Sequence, residues 1–202
     1  MSRIAKLDVD AWDDGLRAFV GSTSGNALEL GPSKITAHVP EIAKGLAQFG
    51  GALRAHRSLP ERLMELVRLR IAFHNQCRSC MAIRYESAVA DGLEEGSVCS
   101  LERPQEAADL SASEKAAIDY GERLATNHLS IDEAVYDGLR VHFTEAQIVE
   151  LGLWAGFCVG VGRLLATWDM TEDLPEAFQD KSKGPVGPWA AEPVVVARRT
   201  AQ

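Results

Sequence analysis

Long apolar runs are missing from this chain: no 18 consecutive apolar residues occur among its 202, so the sequence offers no obvious membrane span. Positive charge is also in short supply. Against 29 Asp and Glu stand 21 Lys and Arg, and the formal net charge of -8 repels phosphate backbones and anionic bilayers. The expectation is therefore no nucleic-acid partner and no membrane partner. Four cysteines are too few to staple a chain of this length as a disulfide scaffold. The N-terminus turns acidic at Asp8 and Asp10 before a signal-peptide core can form, which gives a cytoplasmic protein as the expectation. Repeats and low-complexity tracts are absent. The one β-like run, Val194 to Val196, is too short to define a sheet.

What the chain does have is helical periodicity. With 46% hydrophobic residues it can bury a core, and the simplest division is one domain over 1–174 followed by a Pro-rich arm over 175–202, where Pro185, Pro188 and Pro193 prevent a helix. Trp12, Leu16, Phe19 and Val20 share one face of a first short helix that Gly21 to Gly25 stop, and a turn-rich loop is expected on to Ser33. First-turn prolines, Pro40 and Pro60, open helices predicted over 40–54 and 60–74. A further helix is predicted over 77–91, stopped by Gly92, and then an irregular stretch with one short helix over 92–110. Ser111 with Glu114 forms a capping box for a helix over 112–127, whose Ala117, Gly121, Leu124 and Ala125 make a small-residue face suited to close packing. After a helix over 132–142, Thr144 with Gln147 caps the longest apolar run, 145–169. That run is apolar all round and contains Gly152, Gly156, Gly160 and Gly162, as expected of a helix buried between neighbours or subunits. The fold class is thus all-α, a helical bundle expected to form a homo-oligomer.

The chemistry concentrates between Glu65 and Arg84. A helical run ends in His74, Asn75 and Gln76, after which Cys77 and Cys80 lie three residues apart at the start of the next predicted helix. Unpaired N-H groups at a helix start favour a thiolate, and on that ground alone Cys77 is the better placed of the two. The pair reads as redox-active. Zinc needs four converging ligands, and only Cys99, Cys158 and scattered histidines could add to the pair, so no metal and no cofactor are expected. Glu65, flanked by Leu66, Val67 and Leu69, is either a buried proton-transfer group or an exposed partner of Arg62 or Arg68 at helical spacing. Arg84 stays protonated, and it can stabilise a thiolate or the Glu65 carboxylate, or hold an anionic substrate. His74 is a candidate imidazole for the site or else a helix cap, whereas His128 and His142 near helix ends read as structural. Cys99 falls in a loop-like region. Cys158, in the apolar run, reads as a small buried hydrophobe.

The spacing of Glu65, eleven residues, Cys77, two residues and Cys80 resembles the core motif of alkylhydroperoxidase D-like proteins in the carboxymuconolactone decarboxylase superfamily, which are all-helical and oligomeric. The match is strongest over 59–92. Leu110 to Ala117 and Leu139 to Glu150 are similar to the second half of longer members, so the resemblance covers most of 38–170. It implies a thiol-dependent peroxidase that acts on a hydroperoxide and is recycled by a dithiol reductant protein. By position it implies Cys80 as the peroxide-attacking thiol, Cys77 as the resolving thiol and proton donor, and Glu65 as a base. Such proteins carry a histidine four residues after the second cysteine. Here that position is Arg84, which implies a reactive thiol with a weak proton relay and a turnover that a histidine at 84 would raise. Two other readings share the fold: a lactone decarboxylase, whose chemistry needs no CxxC, and a non-enzymatic oligomer that uses the pair as a redox-sensing switch.

Overall fold

The computed structural model describes residues 2–20, 27–182 and 184–196. The element order is α1 (Asp14–Val20), α2 (Ala27–Thr36), α3 (Pro40–Ala55), α4 (Glu61–Asn75), α5 (Arg78–Ala82), β1 (Ile83–Tyr85), α6 (Glu86–Ala90), α7 (Glu95–Cys99), α8 (Ala112–Thr126), α9 (Glu133–Arg140), α10 (Glu145–Trp168), α11 (Glu176–Gln179) and β2 (Val194–Val196). The fold is all-α apart from the one small pair of strands.

The core is built around α4, in which every residue from Leu63 to Ala72 is buried, the charged Glu65, Arg68 and Arg70 included. Helices α8 and α10 pack on it. The approach of α8 is close at Gly121, where a Cβ would stand 2.8 Å from Val67 Cγ1, as the small-residue face of that helix predicts. Trp154 of α10 donates its indole N-H to the Met64 carbonyl at 3.0 Å, and so seats α10 at a fixed height along α4. Both capping boxes form, Ser111 with Glu114 and Thr144 with Gln147. Gly92 takes φ +82°, the left-handed stop that only glycine adopts without strain.

Three expectations are corrected. The segment leading to Ser33 is not a turn-rich loop over its described part: α2 runs through Pro32, because burial of Leu30 and Ile35 outweighs the lost proline hydrogen bond. The Gly21 to Gly25 stop lies outside the described residues. The predicted 77–91 helix is broken after Ala82, where Ile83 turns extended (φ -106°, ψ 151°) and β1 pairs in parallel with β2. Three backbone groups that a continuous helix would have used internally are taken by α4 instead: the Cys80 and Ile83 carbonyls accept from Arg68, and the Tyr85 N-H donates to Glu65. The Pro-rich segment also contributes more than an arm. Its Phe178 and Val186, with Leu174 just before it, form a second small core with Ala72, Met81 and Ala82.

Among the described residues, α10 is the one helix long and apolar enough to cross a bilayer, and 28% of its most apolar window is buried within this chain. Val149, Leu153 and Leu164 remain exposed on it, and a Cβ at Gly156 or Gly160 would meet nothing within 4 Å.

Candidate active site

The polar break after α4 shapes the site. Gln76 takes the left-handed conformation (φ 50°) as C-cap, and its side-chain amide pairs with both backbone groups of Val186, accepting at 3.1 Å and donating at 3.2 Å. Asn75 donates to the Cys158 carbonyl at 3.1 Å and so ties the same corner to α10. Between these anchors the chain enters the CxxC turn. Cys77 and Cys80 are joined as a disulfide, with Cα atoms 5.2 Å apart. Cys77 is wholly buried, whereas Cys80 is half-buried and faces a cavity of about 320 Å³. Access therefore singles out Cys80. The helix-start argument for Cys77 weakens, since α5 has only five residues.

The cavity wall is mostly apolar, with Leu28, Leu30, Ile83, Trp154, Phe157, Val161 and Leu165 supplying much of it. Its polar groups include Cys80, Cys158, Ser79, Tyr85, Arg54 and Arg68. Volume and lining suit a small organic molecule with one reactive polar end.

Arg68 is the central charged group here. Its guanidinium grips Glu65 with two hydrogen bonds of 2.7 Å, donates to the Cys80 carbonyl at 2.6 Å and the Ile83 carbonyl at 3.0 Å, and lies 5.0 Å from the centre of the Tyr85 ring. Burial opposes its charge, but the Glu65 carboxylate outweighs that and raises its pKa further. Glu65, 1% exposed, does not line the cavity; it reaches the CxxC turn through Arg68. Of the two sequence readings the arginine partner is thus observed, and the pair is buried rather than exposed. The carboxylate is held in an ion pair with Arg68, and it is Arg68 that spans the distance to the Cys80 carbonyl.

Arg84 and His74 are not brought to the cavity. Arg84, 1% exposed, forms a two-pronged bridge to Glu95 at 2.9 and 3.0 Å and donates to the carbonyls of Met81, Ile83 and Pro188. It clamps the C-terminal segment onto the turn. Arg68, not Arg84, is the arginine that binds the Cys80 carbonyl and lines the cavity. His74 Nε2 lies 3.2 Å from Glu122 Oε1 without a well-directed hydrogen bond. Burial, followed by the charge of Arg70, lowers its pKa against the pull of Glu122. No histidine is among the described residues lining the cavity.

Sequence reasoning underrated three residues. Arg68 had a signal, its i to i+3 spacing from Glu65. Tyr85 had none, because the break in the predicted helix decides where it points. Cys158, expected as an inert hydrophobe, lines the cavity with Cys80.

Comparison with known proteins places this arrangement. The Carboxymuconolactone decarboxylase family matches residues 40–123. Two uncharacterized proteins of Mycobacterium tuberculosis are 36% identical over 110 residues, a stretch covering 52% of this chain and 38% of theirs. Among solved structures, an uncharacterized peroxidase-related protein from Ralstonia eutropha with an alkylhydroperoxidase AhpD core superposes with a TM-score of 0.68 at 18% identity, over 88% of this chain and 94% of that one. The debrominase Bmp8 gives a TM-score of 0.67 at 17% identity, over 91% and 99%. A putative antioxidant defence protein AhpD from Agrobacterium tumefaciens gives 0.59 at 19%, over 69% and 96%.

Proposed function

We propose that this chain, whose residues 40–123 match the Carboxymuconolactone decarboxylase family and whose fold is that of the alkylhydroperoxidase AhpD core, is a thiol-dependent peroxidase that reduces organic hydroperoxides with the Cys77 and Cys80 pair. The observation that carries the reading is the asymmetry of the pair: bonded cysteines of which only Cys80 faces an apolar cavity. The Cys80 thiolate attacks the outer peroxide oxygen, the O–O bond breaks, and the products are a Cys80 sulfenic acid and an alkoxide that leaves as the alcohol once protonated. Cys77 supplies that proton and, as thiolate, attacks the sulfenic sulfur. The S–O bond breaks, the disulfide forms, and hydroxide leaves as water with the proton that Cys80 released on ionising. An external dithiol protein returns two electrons by exchange at Cys80, the sulfur accessible from the cavity.

Arg68 favours the thiolate through its charge and holds the turn through the Cys80 carbonyl. With no imidazole at the cavity, turnover is expected to be at least about a hundredfold below that of a site with a positioned acid or base. The oligomer belongs to the same proposal, through α10, whose Val149, Leu153 and Leu164 are exposed in the single chain.

The test is consumption of an organic hydroperoxide with a dithiol reductant, using the wild type, Cys77→Ser and Cys80→Ser. Wild type should turn over slowly. Cys80→Ser should abolish consumption, and Cys77→Ser, which lacks the proton donor and the bonded partner of Cys80, should slow it. Equal consumption by Cys80→Ser and wild type ends the proposal. Release of carbon dioxide from a lactone acid, unaffected by either serine, would replace it with the family's decarboxylase chemistry.

A further inference from the structure

The cavity holds a second sulfur that the peroxidase scheme leaves unused. Cys158 sits on α10, the helix that packs on α5, and lines the same cavity as Cys80. Its backbone is fixed to the CxxC corner: the Cys158 carbonyl accepts from Asn75, two residues before Cys77. Cys77, bonded to Cys80, is wholly buried and does not line the cavity. Cys80 is therefore the sulfur that shares an environment with both others, bonded to Cys77 and open to the space that Cys158 faces. Arg68 completes the arrangement, since it lines the cavity, binds the Cys80 carbonyl and stands close enough to Cys158 for a thiolate there to bear on its charge.

We infer that Cys158 is a third redox thiol of this site, able to close a disulfide with Cys80 whenever Cys77 is not bonded to it. The inference rests on the peroxidase reading for its physiological oxidant and on the shared cavity for the bond. In the peroxidase cycle the step balances simply. The Cys158 thiolate attacks the sulfur of the Cys80 sulfenic acid, an S–S bond forms, the S–O bond breaks, and hydroxide leaves as water with the proton that Cys158 gave up. Cys77 then displaces Cys158 from Cys80 by thiol–disulfide exchange, giving the bridge seen here and a reduced Cys158. The apolar cavity is the right place for such a thiol. It keeps water from the sulfenic acid and gives a second route to a reversible disulfide before further peroxide can carry Cys80 to the irreversible sulfinic state. Closure requires the two Cα atoms to come within about 4.4–6.8 Å. Cys80 is on the short α5, set between the left-handed Gln76 and the extended Ile83, and the inference requires this element to adjust.

The experiment removes the competing thiols and uses an oxidant that does not depend on peroxidase activity. The chain has four cysteines, so the variant Cys77→Ser with Cys99→Ser keeps two, Cys80 and Cys158. Fully reduced and dilute, it is treated with diamide, which takes up two hydrogens as two thiols become one disulfide. The expected result is loss of both thiols in monomeric chains, with one peptide pair linked through Cys80 and Cys158. Adding Cys158→Ser should abolish the intrachain bond and leave Cys80 trappable by dimedone after peroxide. Diamide adducts, bonds between chains, or two thiols still titratable would overturn the inference, and circular dichroism of the same variant confirms that it is folded when tested. Failure of peroxide consumption by wild type together with formation of the Cys80–Cys158 bond under diamide would overturn the peroxidase reading and leave this one standing.

Discussion

Replacing Arg68 by methionine tests how the site is held. Methionine keeps much of the side chain's volume and removes its charge, so Glu65 stays at 1% exposure with both 2.7 Å bonds gone, and the Cys80 and Ile83 carbonyls lose their donor. Breaking a buried ion pair from one side costs about 3–5 kcal/mol, because the remaining charge is neither paired nor hydrated. For a domain of this size each kcal/mol moves Tm by roughly 2–4 °C, so a fall of about 6–20 °C is expected. Glu65→Gln should also destabilise, by leaving a buried guanidinium without its counter-charge. The double variant, Glu65→Gln with Arg68→Met, buries no charge at this point and should be less destabilised than the sum of the singles, with a coupling of about 1–3 kcal/mol. Urea melts of the four proteins give the cycle, and iodoacetamide kinetics on each reduced protein report the thiol. Cys80 should alkylate more slowly wherever Arg68 is missing. The reasoning fails if Arg68→Met costs less than about 1 kcal/mol, as an exposed pair would. It fails too if the two substitutions simply add, or if Glu65→Gln leaves stability untouched while abolishing turnover, which is the pattern of a catalytic base.

Three further outcomes follow. Gly121→Ala puts a Cβ 2.8 Å from Val67 Cγ1 and 3.3 Å from Ile71 Cδ1, between two rigid branched side chains, and should cost about 1–3 kcal/mol in a urea melt. His74 has its pKa lowered by burial and by Arg70, so on acidification the unfolded chain takes up the proton first. Thermal stability should therefore fall as pH drops below about 6.5, and His74→Gln should flatten that part of the profile. On the oligomer proposal, Val149→Glu with Leu153→Glu charges the exposed face of α10 and should give a monomer in sedimentation; an unchanged assembly would move the interface elsewhere.

How much of this was legible in the sequence depends on how local each signal is. The two capping boxes, the left-handed stop at Gly92 and the extent of α4 are written within a few residues of where they act, and each is found in place. Glu65, Cys77 and Cys80, which the sequence groups by their resemblance to a family motif, are connected in the structure through Arg68 and the disulfide. The break at Ile83 was not legible. Its cause is a strand more than a hundred residues away, at Val194 to Val196, and two charged side chains on α4 that satisfy the backbone a helix would otherwise have satisfied. Met81, Tyr85 and Ala88 stand at i, i+4 and i+7, so helical periodicity continues through the break. Cys158 was misjudged for a related reason: a thiol in an apolar run is normally core, and only the cavity between α10 and α5 makes this one a wall residue.

The same break settles what a histidine at position 84 can do. Four residues after Cys80 means one turn further along the same face only if the helix continues, and here it ends at Ala82. The chain is extended at 83–85, and the side chain of residue 84 is spent on Glu95 and on three carbonyls, one of them in the C-terminal segment at Pro188. Imidazole is shorter than guanidinium and has only two ring nitrogens, so it cannot replace those five bonds. Arg84→His should therefore not deliver the gain in peroxide turnover that the family's motif suggests. Glu95 is half-exposed and can rehydrate, which limits the loss to the unpaired carbonyls, about 1–3 kcal/mol. The segment beyond Phe178 should become more open to proteases, because its tie at Pro188 is gone. Arg84→Met should behave in the same way, with Cys80 alkylation unchanged in both, since Arg68 is the arginine that reaches the Cys80 carbonyl and lines the cavity. If Arg84→His instead raises turnover with proteolysis unaltered, residue 84 does face the thiols during catalysis. The turn would then have to rearrange into the continuous helix that the sequence predicts.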